Sequence, residues 1–140
     1  MGKRVVPPFV TRVPVRFGDI DHARVVFYPR FLEYFHDVFE DFIKASGLVY
    51  HEIINVRRIG FPAVHADVTY RHPLRFGDVM QMQLTVGKIG NSSIDLCYHG
   101  ELEGTPVVDA TVTVVCTDLD RFTKVTVPAD IREKLEEVRA

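Results

Sequence analysis

From Phe61 onward the chain alternates apolar and polar residues. Val64, Ala66, Val68 and Tyr70 fall on one side of the pattern and His65, Asp67, Thr69 and Arg71 on the other, which is the period of a β-strand. Pro73 closes that strand, and Gly77 with Asp78 turns the chain. Met80, Met82, Leu84 and Val86 then alternate with Gln81, Gln83 and Thr85. After a turn at GKIGNSS (Gly87 to Ser93), Ile94, Leu96 and Tyr98 alternate with Asp95, Cys97 and His99. EGTP (Glu103 to Pro106) reads as a hairpin turn. Val108, Ala110, Val112, Val114 and Cys116 form the inward face of the next strand, with Thr111, Thr113 and Thr117 facing away. A last strand, Thr123 to Val127, meets Pro128, and ADIREKLEEV after it reads as a charged surface helix. At the other end, residues 1–8 read as a loose arm and Phe9 to Phe17 as the first strand.

One stretch has a different period. Phe31, Leu32, Phe35, Val38, Phe39, Phe42 and Ile43 follow the spacing of one helical face, with Glu33, Asp37, Glu40 and Lys44 opposite. Pro29 suits the first helical position, and Gly47 is placed to terminate the helix. Leu48 to Ile59 shows no clear period, and a short strand is expected there around Glu52 to Arg57. Strand, long helix, then four or five antiparallel strands is an α+β layout with one helix packed on one sheet. No linker or low-complexity run divides residues 1–140, so one domain is expected. RFGD occurs at Arg16 to Asp19 and at Arg75 to Asp78, but the flanks differ and the repetition reads as coincidence. A single sheet layer leaves its other face and two edges open, which predicts an exposed apolar patch and at least a dimer.

The long helix also supplies candidate chemistry. A helix start leaves backbone N–H groups unpaired and carries partial positive charge, so the region of Tyr28, Arg30 and Phe31 can receive an oxygen gaining negative charge. Asp19 and Asp21 lie just upstream. A carboxylate beside such a pocket is the minimum apparatus for attack on a carbonyl, although an Asp in a short loop is also an ordinary turn former.

Composition narrows the partners. The chain is 46% hydrophobic and 26% charged with a formal charge of −2, so nothing favours nucleic acid or an anionic membrane. The N-terminal stretch has no apolar run of signal-peptide or membrane-spanning length, and a cytoplasmic location is expected. Cys97 and Cys116 form no CxxC pair and read as buried, reduced thiols. His65 and Asp67 share a strand face without a third ligand, so no metal site is expected.

Asp21, followed by Ala23, Val26, Tyr28 and Pro29 and then the helix, resembles the signature of the 4-hydroxybenzoyl-CoA thioesterase branch of the hotdog-fold acyl-CoA thioesterases. GFPAV (Gly60 to Val64), PLRFGD (Pro73 to Asp78) and VPADI (Val127 to Ile131) extend the match over nearly the whole chain. The resemblance implies a hotdog fold, an antiparallel sheet wrapped around one long central helix, with dimers formed by joining sheets and often tetramers. It implies hydrolysis of an acyl-CoA with no cofactor. Asp21 would be nucleophile or general base, and the Tyr28 N–H would polarise the carbonyl. The family spacing, seven positions from Asp to Tyr, selects Asp21 over Asp19. Another hotdog branch uses an acid within the helix, for which Glu33 and His36 would be the candidates.

The chain also departs from the aromatic-substrate prototype. His22 stands where that protein has Pro, Arg24 replaces a Gly, and Phe61 replaces a Thr as an expected pocket wall. The prototype's cationic cluster for the CoA phosphates aligns with Gly90, Asn91 and Ser92, which leaves Lys88 nearby and Arg57, Arg58 or Arg71 as substitutes. His22, Phe27, Phe61 and Lys88 are accordingly the expected substrate-binding residues. Two other functions fit the same fold: a non-catalytic acyl-CoA binding protein, which would not need Asp21, and a hydratase or dehydratase, whose His-containing motif is not found here.

Overall fold

A helix bearing this many aromatic side chains on one face must bury them, and the sheet supplies the cover. The computed structural model describes residues 6–140; residues 1–5 of the expected arm lie outside that range. In chain order the elements are β1 (Phe9–Pro14), a 3-10 turn (Phe17–Asp19), α1 (Arg30–Ala45), α2 (Tyr50–Asn55), β2 (Ile59–Gly60), β3 (Ala63–Tyr70), β4 (Val79–Ile89), β5 (Ser93–Leu102), β6 (Thr105–Val115), β7 (Thr117–Asp118), β8 (Thr123–Lys124) and α3 (Ala129–Glu137). Five strands form the main sheet in the order β1-β4-β5-β6-β3, every pair antiparallel. This is the hotdog arrangement. No described helix is long and apolar enough to cross a membrane.

The alternation along β4, β5 and β6 is the alternation of the two sheet faces. Met80, Met82, Leu84, Val86, Ile94, Leu96, Val112 and Val114 are buried inward. They meet Phe31, Phe35, Val38, Phe39, Phe42 and Ile43 of α1, all buried. Phe42 is fully enclosed, with the Phe9 ring edge-on at 5.8 Å. α1 ends as Gly47 predicts: Gly47 has φ +85°, its N–H donates to Lys44 O at 3.0 Å, and Leu48 N–H reaches Ile43 O at 3.2 Å. This Schellman closure needs a left-handed residue, which glycine adopts without steric cost.

The structure corrects the sequence reading in several places. Residues 50–55 form a helix, α2, where a strand around Glu52 to Arg57 was expected. So short a helix shows no readable period; Ile53 is buried, and Tyr50 packs on Phe39 with centroids 6.1 Å apart. β4 continues through Ile89, so the turn is only Gly90 to Ser92. Its register shifts between Val86 and Ile89, where Val86 exchanges hydrogen bonds with Val138 and Ala140 of the C-terminal segment. Thr117 is buried rather than outward, because the chain leaves the main sheet there and enters a three-stranded sheet, β2-β7-β8. β8 stops at Lys124; beyond it Val125 and Val127 donate to Cys116 O and Asn91 O. α3 is charged on one side only, since Ile131, Leu135 and Val138 are fully buried. In β3 a bulge between Ala63 and His65 displaces Val64, which is 63% exposed, from the inward face.

The outer sheet face is polar rather than the expected apolar patch. It carries Thr69, Gln83, Thr85, Cys97, His99 and Thr111, so Cys97 is only partly buried while Cys116 is enclosed. On this face His99 sits between two carboxylates, Nδ1 2.6 Å from Asp109 and Nε2 2.8 Å from Glu101. Arg71 donates to the other Asp109 oxygen at 2.6 Å. The Asp109 hydrogen bond, with that to Glu101, holds the imidazolium above the usual histidine range. Partial burial pushes Asp109 up, but the bonds from His99 and Arg71 outweigh it and hold the carboxyl low.

Phe42→Ala removes a fully enclosed ring and should lower unfolding free energy by about 3–5 kcal/mol in urea titration. Because the folded histidine binds its proton more tightly than the unfolded one, the His99 contribution is complete below about pH 6.5 and is lost as pH rises through the raised folded value. Asp109 runs oppositely, stabilising above about pH 3.9 and losing its contribution as pH falls. Urea midpoints should therefore decline as pH rises from about 6.5 through the raised folded value, and His99→Gln should flatten that limb.

Candidate active site

Residues 19–27 fold into a small hairpin immediately before α1. Ile20 bridges Val26, Asp21 N–H donates to Val25 O at 3.0 Å, and Phe27 N–H donates to Asp19 O at 2.9 Å. Val26 N–H donates to Leu74 O at 2.8 Å, which fastens the hairpin to the segment before β4. The tip is tight: Arg24 N–H returns to Asp21 O at 3.0 Å, and Arg24 has φ +67°, the left-handed conformation that favours the glycine it replaces.

The two aspartates have different surroundings. One carboxylate oxygen of Asp19, Oδ2, accepts the Arg16 N–H at 2.9 Å and the Tyr34 hydroxyl at 2.7 Å, which ties the hairpin to α1. Burial and this bond push the Tyr34 phenol upward, so it remains a donor. Asp21 accepts the Ala23 N–H on Oδ1 at 2.8 Å, and its Oδ2 has no hydrogen bond among the described residues.

The helix start resolves the three candidate donors. Pro29 has helical dihedrals, φ −63° and ψ −21°. Arg30 N–H donates to Phe27 O at 2.8 Å, Phe31 N–H to Tyr28 O at 3.2 Å and Leu32 N–H to Pro29 O at 3.1 Å. Arg30 and Phe31 are therefore spent on the first turn, and the Tyr28 N–H is left without an acceptor among the described residues. Tyr70, at the end of β3, donates its hydroxyl to the Tyr28 carbonyl at 3.2 Å and meets the Tyr28 and Phe31 rings edge-on. The sequence reading did not single out Tyr34 or Tyr70; each is a tyrosine in an otherwise apolar pattern, which is the only signal it gives.

One helical turn beyond Tyr28 a cavity of about 250 Å³ opens between α1 and the inner face of β3, β5 and β6. Its wall includes Leu32, Phe35, Phe61, Ala66, Leu96 and Tyr98. Phe61 thus faces the cavity, and Leu32, 48% exposed in spite of its place on the apolar stripe, stands at its edge. Phe27 is exposed with its ring 5.5 Å from that of Tyr28, and His22 is exposed in the hairpin tip. His36 pairs with Glu40 at 2.9 Å and Glu33 with Arg30 at 2.8 Å, so both helix candidates hold neighbours on their own helix.

Three of the cations considered for phosphate binding are already paired. Arg57 makes a two-bond contact with Asp130 at 2.8 and 3.0 Å, Arg58 meets Asp120 at 2.9 Å, and Arg71 meets Asp109. Lys88 is exposed with no carboxylate partner among the described residues. His65 and Asp67 are exposed on β3, and no described cluster of three or more side chains could ligate a metal.

The model of the thioesterase-like superfamily matches residues 15–135. A 1,4-dihydroxy-2-naphthoyl-CoA hydrolase of Nostoc punctiforme is 30% identical over 122 residues, covering 87% of this chain and 82% of the relative. The long-chain acyl-CoA thioesterase FadM of Escherichia coli is 30% identical over 132 residues, covering 91% and 97%. The structure of BH1999 gentisyl-coenzyme A thioesterase superposes with a TM-score of 0.83 at 26% identity, covering 91% of this chain and 99% of that one. With the match spanning the hairpin, α1 and the main-sheet strands β3 to β6, the chain belongs to the thioesterase-like superfamily.

Proposed function

We propose that this thioester hydrolase cleaves acyl-CoA thioesters, with Asp21 and the Tyr28 N–H as its catalytic groups, in the manner of the 4-hydroxybenzoyl-CoA thioesterase branch. One observation carries the reading: the hairpin and the helix start after it present a carboxylate oxygen and an N–H that have no hydrogen bond among the described residues, and an apolar cavity is lined from Leu32, one helical turn beyond Tyr28. The thioester carbonyl oxygen accepts the Tyr28 N–H, and the helix-start dipole stabilises the charge that develops there. Asp21 Oδ2 then either attacks the carbonyl carbon or takes a proton from a water that does. In the first route the C–S bond breaks, CoA leaves as thiolate, and water opens the resulting anhydride to regenerate the carboxylate. In the second, hydroxide adds, the C–S bond breaks, and the proton held by Asp21 passes to the thiolate. A thiol of pKa about 8.5 departs at neutral pH without a strong acid, which suits so sparse a site.

The acyl group would occupy the cavity beside Phe61, and its volume suits a compact ring better than an extended chain. That favours an aromatic acyl group, as in the names of the naphthoyl- and gentisyl-CoA relatives, over the long chain of FadM. His22 and Phe27 would flank the entrance, and Lys88 would meet a CoA phosphate. The edge strand β3 is exposed along nearly its whole length and offers unpaired backbone groups, which supports pairing with a second copy, as a homodimer or a pair of dimers.

Asp21→Asn should lower thiol release from a responsive acyl-CoA by roughly 100- to 10,000-fold with the fold intact by circular dichroism. Asp19→Asn, which alters a structural joint, should retain the larger part of turnover while lowering thermal stability. An Asp21→Asn protein as active as the parent would rule the assignment out. Sedimentation equilibrium should give at least twice the 16.0 kDa chain mass, and a lone monomer at micromolar concentration would contradict sheet pairing.

A further inference from the structure

The cavity wall is apolar except for His36, bound to Glu40, and one phenol. Tyr98 points inward from β5, is 4% exposed, and stacks on Phe35 with centroids 4.8 Å apart and planes at 27°. Its hydroxyl makes no hydrogen bond among the described residues. The only described side-chain polar atom both sealed and unbonded is Ser46 Oγ, so the Tyr98 hydroxyl still touches open space; Tyr98 borders the groove on the outer face through its place in β5, and its inward ring lines the cavity. Burial raises the phenol far out of the physiological range, so it stays protonated, able to donate one hydrogen bond and accept another.

A buried tyrosine hydroxyl ordinarily finds a partner, and one without a partner costs more than the phenylalanine that would fill the same space. Nothing in the core needs this oxygen, since the Phe35 stack and the apolar wall would be satisfied by a bare ring. We propose that Tyr98 is a specificity-determining residue that hydrogen-bonds a polar substituent, a hydroxyl or keto oxygen, on the acyl group. This rests on the thioesterase reading above and narrows it. The acyl group would enter past Leu32, and its far side would carry an oxygen rather than end in hydrocarbon. A site with a buried polar group selects strongly, because an analogue lacking the matching atom leaves that group desolvated and unpaired.

The test compares the protein with Tyr98→Phe, which deletes only the oxygen. Substrates are benzoyl-CoA and its 2-, 3- and 4-hydroxy isomers, together with hexanoyl-CoA and 6-hydroxyhexanoyl-CoA. kcat/KM is read from thiol release, and Kd from the matching non-hydrolysable CoA thioethers. At least one hydroxylated member should be preferred over its parent, and Tyr98→Phe should cut that preference, the ratio of the two kcat/KM values, by about ten-fold. The ligand-free variant should unfold at the same or a higher temperature, since no internal bond is lost. Turnover with the same preferences in both proteins overturns the role of Tyr98 and leaves the thioesterase reading standing. No turnover, with thioether binding that still discriminates through Tyr98, overturns hydrolysis and upholds this inference. A variant that is less stable without ligand, or thioethers bound without discrimination, overturns it.

Discussion

Burial of the aromatic stripe of α1 beneath the main sheet is the interaction on which the rest of the molecule depends. It fixes the helix by side chains distributed along its length, from Phe31 in the first turn to Phe42 and Ile43 near the end. A helix held along its length has a start that cannot drift, and so the first-turn amides occupy set positions. The hairpin of residues 19–27 is then pinned to that start by Asp19, whose carboxylate bridges the Arg16 N–H and the Tyr34 hydroxyl. A polar joint of this kind is costly to break, because Tyr34 is buried and would be left unpaired.

Against that background the unspent groups carry meaning. Most polar groups around the helix start are satisfied: Arg30 and Phe31 amides in the first turn, the Tyr28 carbonyl by Phe31 and Tyr70, Asp21 Oδ1 by Ala23. The Tyr28 N–H, Asp21 Oδ2 and the Tyr98 hydroxyl are among those that have no hydrogen bond among the described residues. Asp21 and Tyr28 belong to the hairpin and the helix start, and Tyr98 stacks on Phe35 in the first half of α1 and lines the cavity. The polar outer face, with its His99–Asp109–Arg71 network, shows the reverse, with charges satisfied by one another. That contrast is why the inner cavity, smaller than the outer groove, is the better candidate for chemistry.

The two RFGD segments show what repetition in a sequence can conceal. Each makes the same turn: the Arg N–H donates to the Asp carboxylate, at 2.9 Å for Arg16–Asp19 and 2.8 Å for Arg75–Asp78, and the Asp N–H returns to the Arg carbonyl at 3.0 Å in both. Their phenylalanines, Phe17 and Phe76, meet edge-on at 5.7 Å. Unlike flanks argued for coincidence, yet antiparallel pairing of β1 with β4 sets Pro14 opposite Val79 and brings the turns side by side. Only pairing across the sheet could reveal that.

The sequence by itself determined the long helix with both of its ends, the inward faces of β4, β5 and β6, and the general layout, because each depends on a period or on a residue with a local conformational bias. Gly47 closes α1 for reasons internal to glycine, and the Met80 to Val86 alternation needs no knowledge of what lies opposite. It also nominated Asp21 and Tyr28, although by residue spacing and resemblance rather than by geometry. Only the tertiary structure decided α2, whose six residues owe their helix to packing of Ile53 and Tyr50. The same holds for the bulge that turns Val64 outward and for the switch of sheets that buries Thr117. It alone showed which of Tyr28, Arg30 and Phe31 keeps a free amide and that Arg57, Arg58 and Arg71 are already paired. It also showed that Tyr98 lines a cavity and that its hydroxyl has no partner among the described residues. Each of these is a question of which group finds which partner, and partners distant in sequence are set by the folded arrangement, not by local propensity.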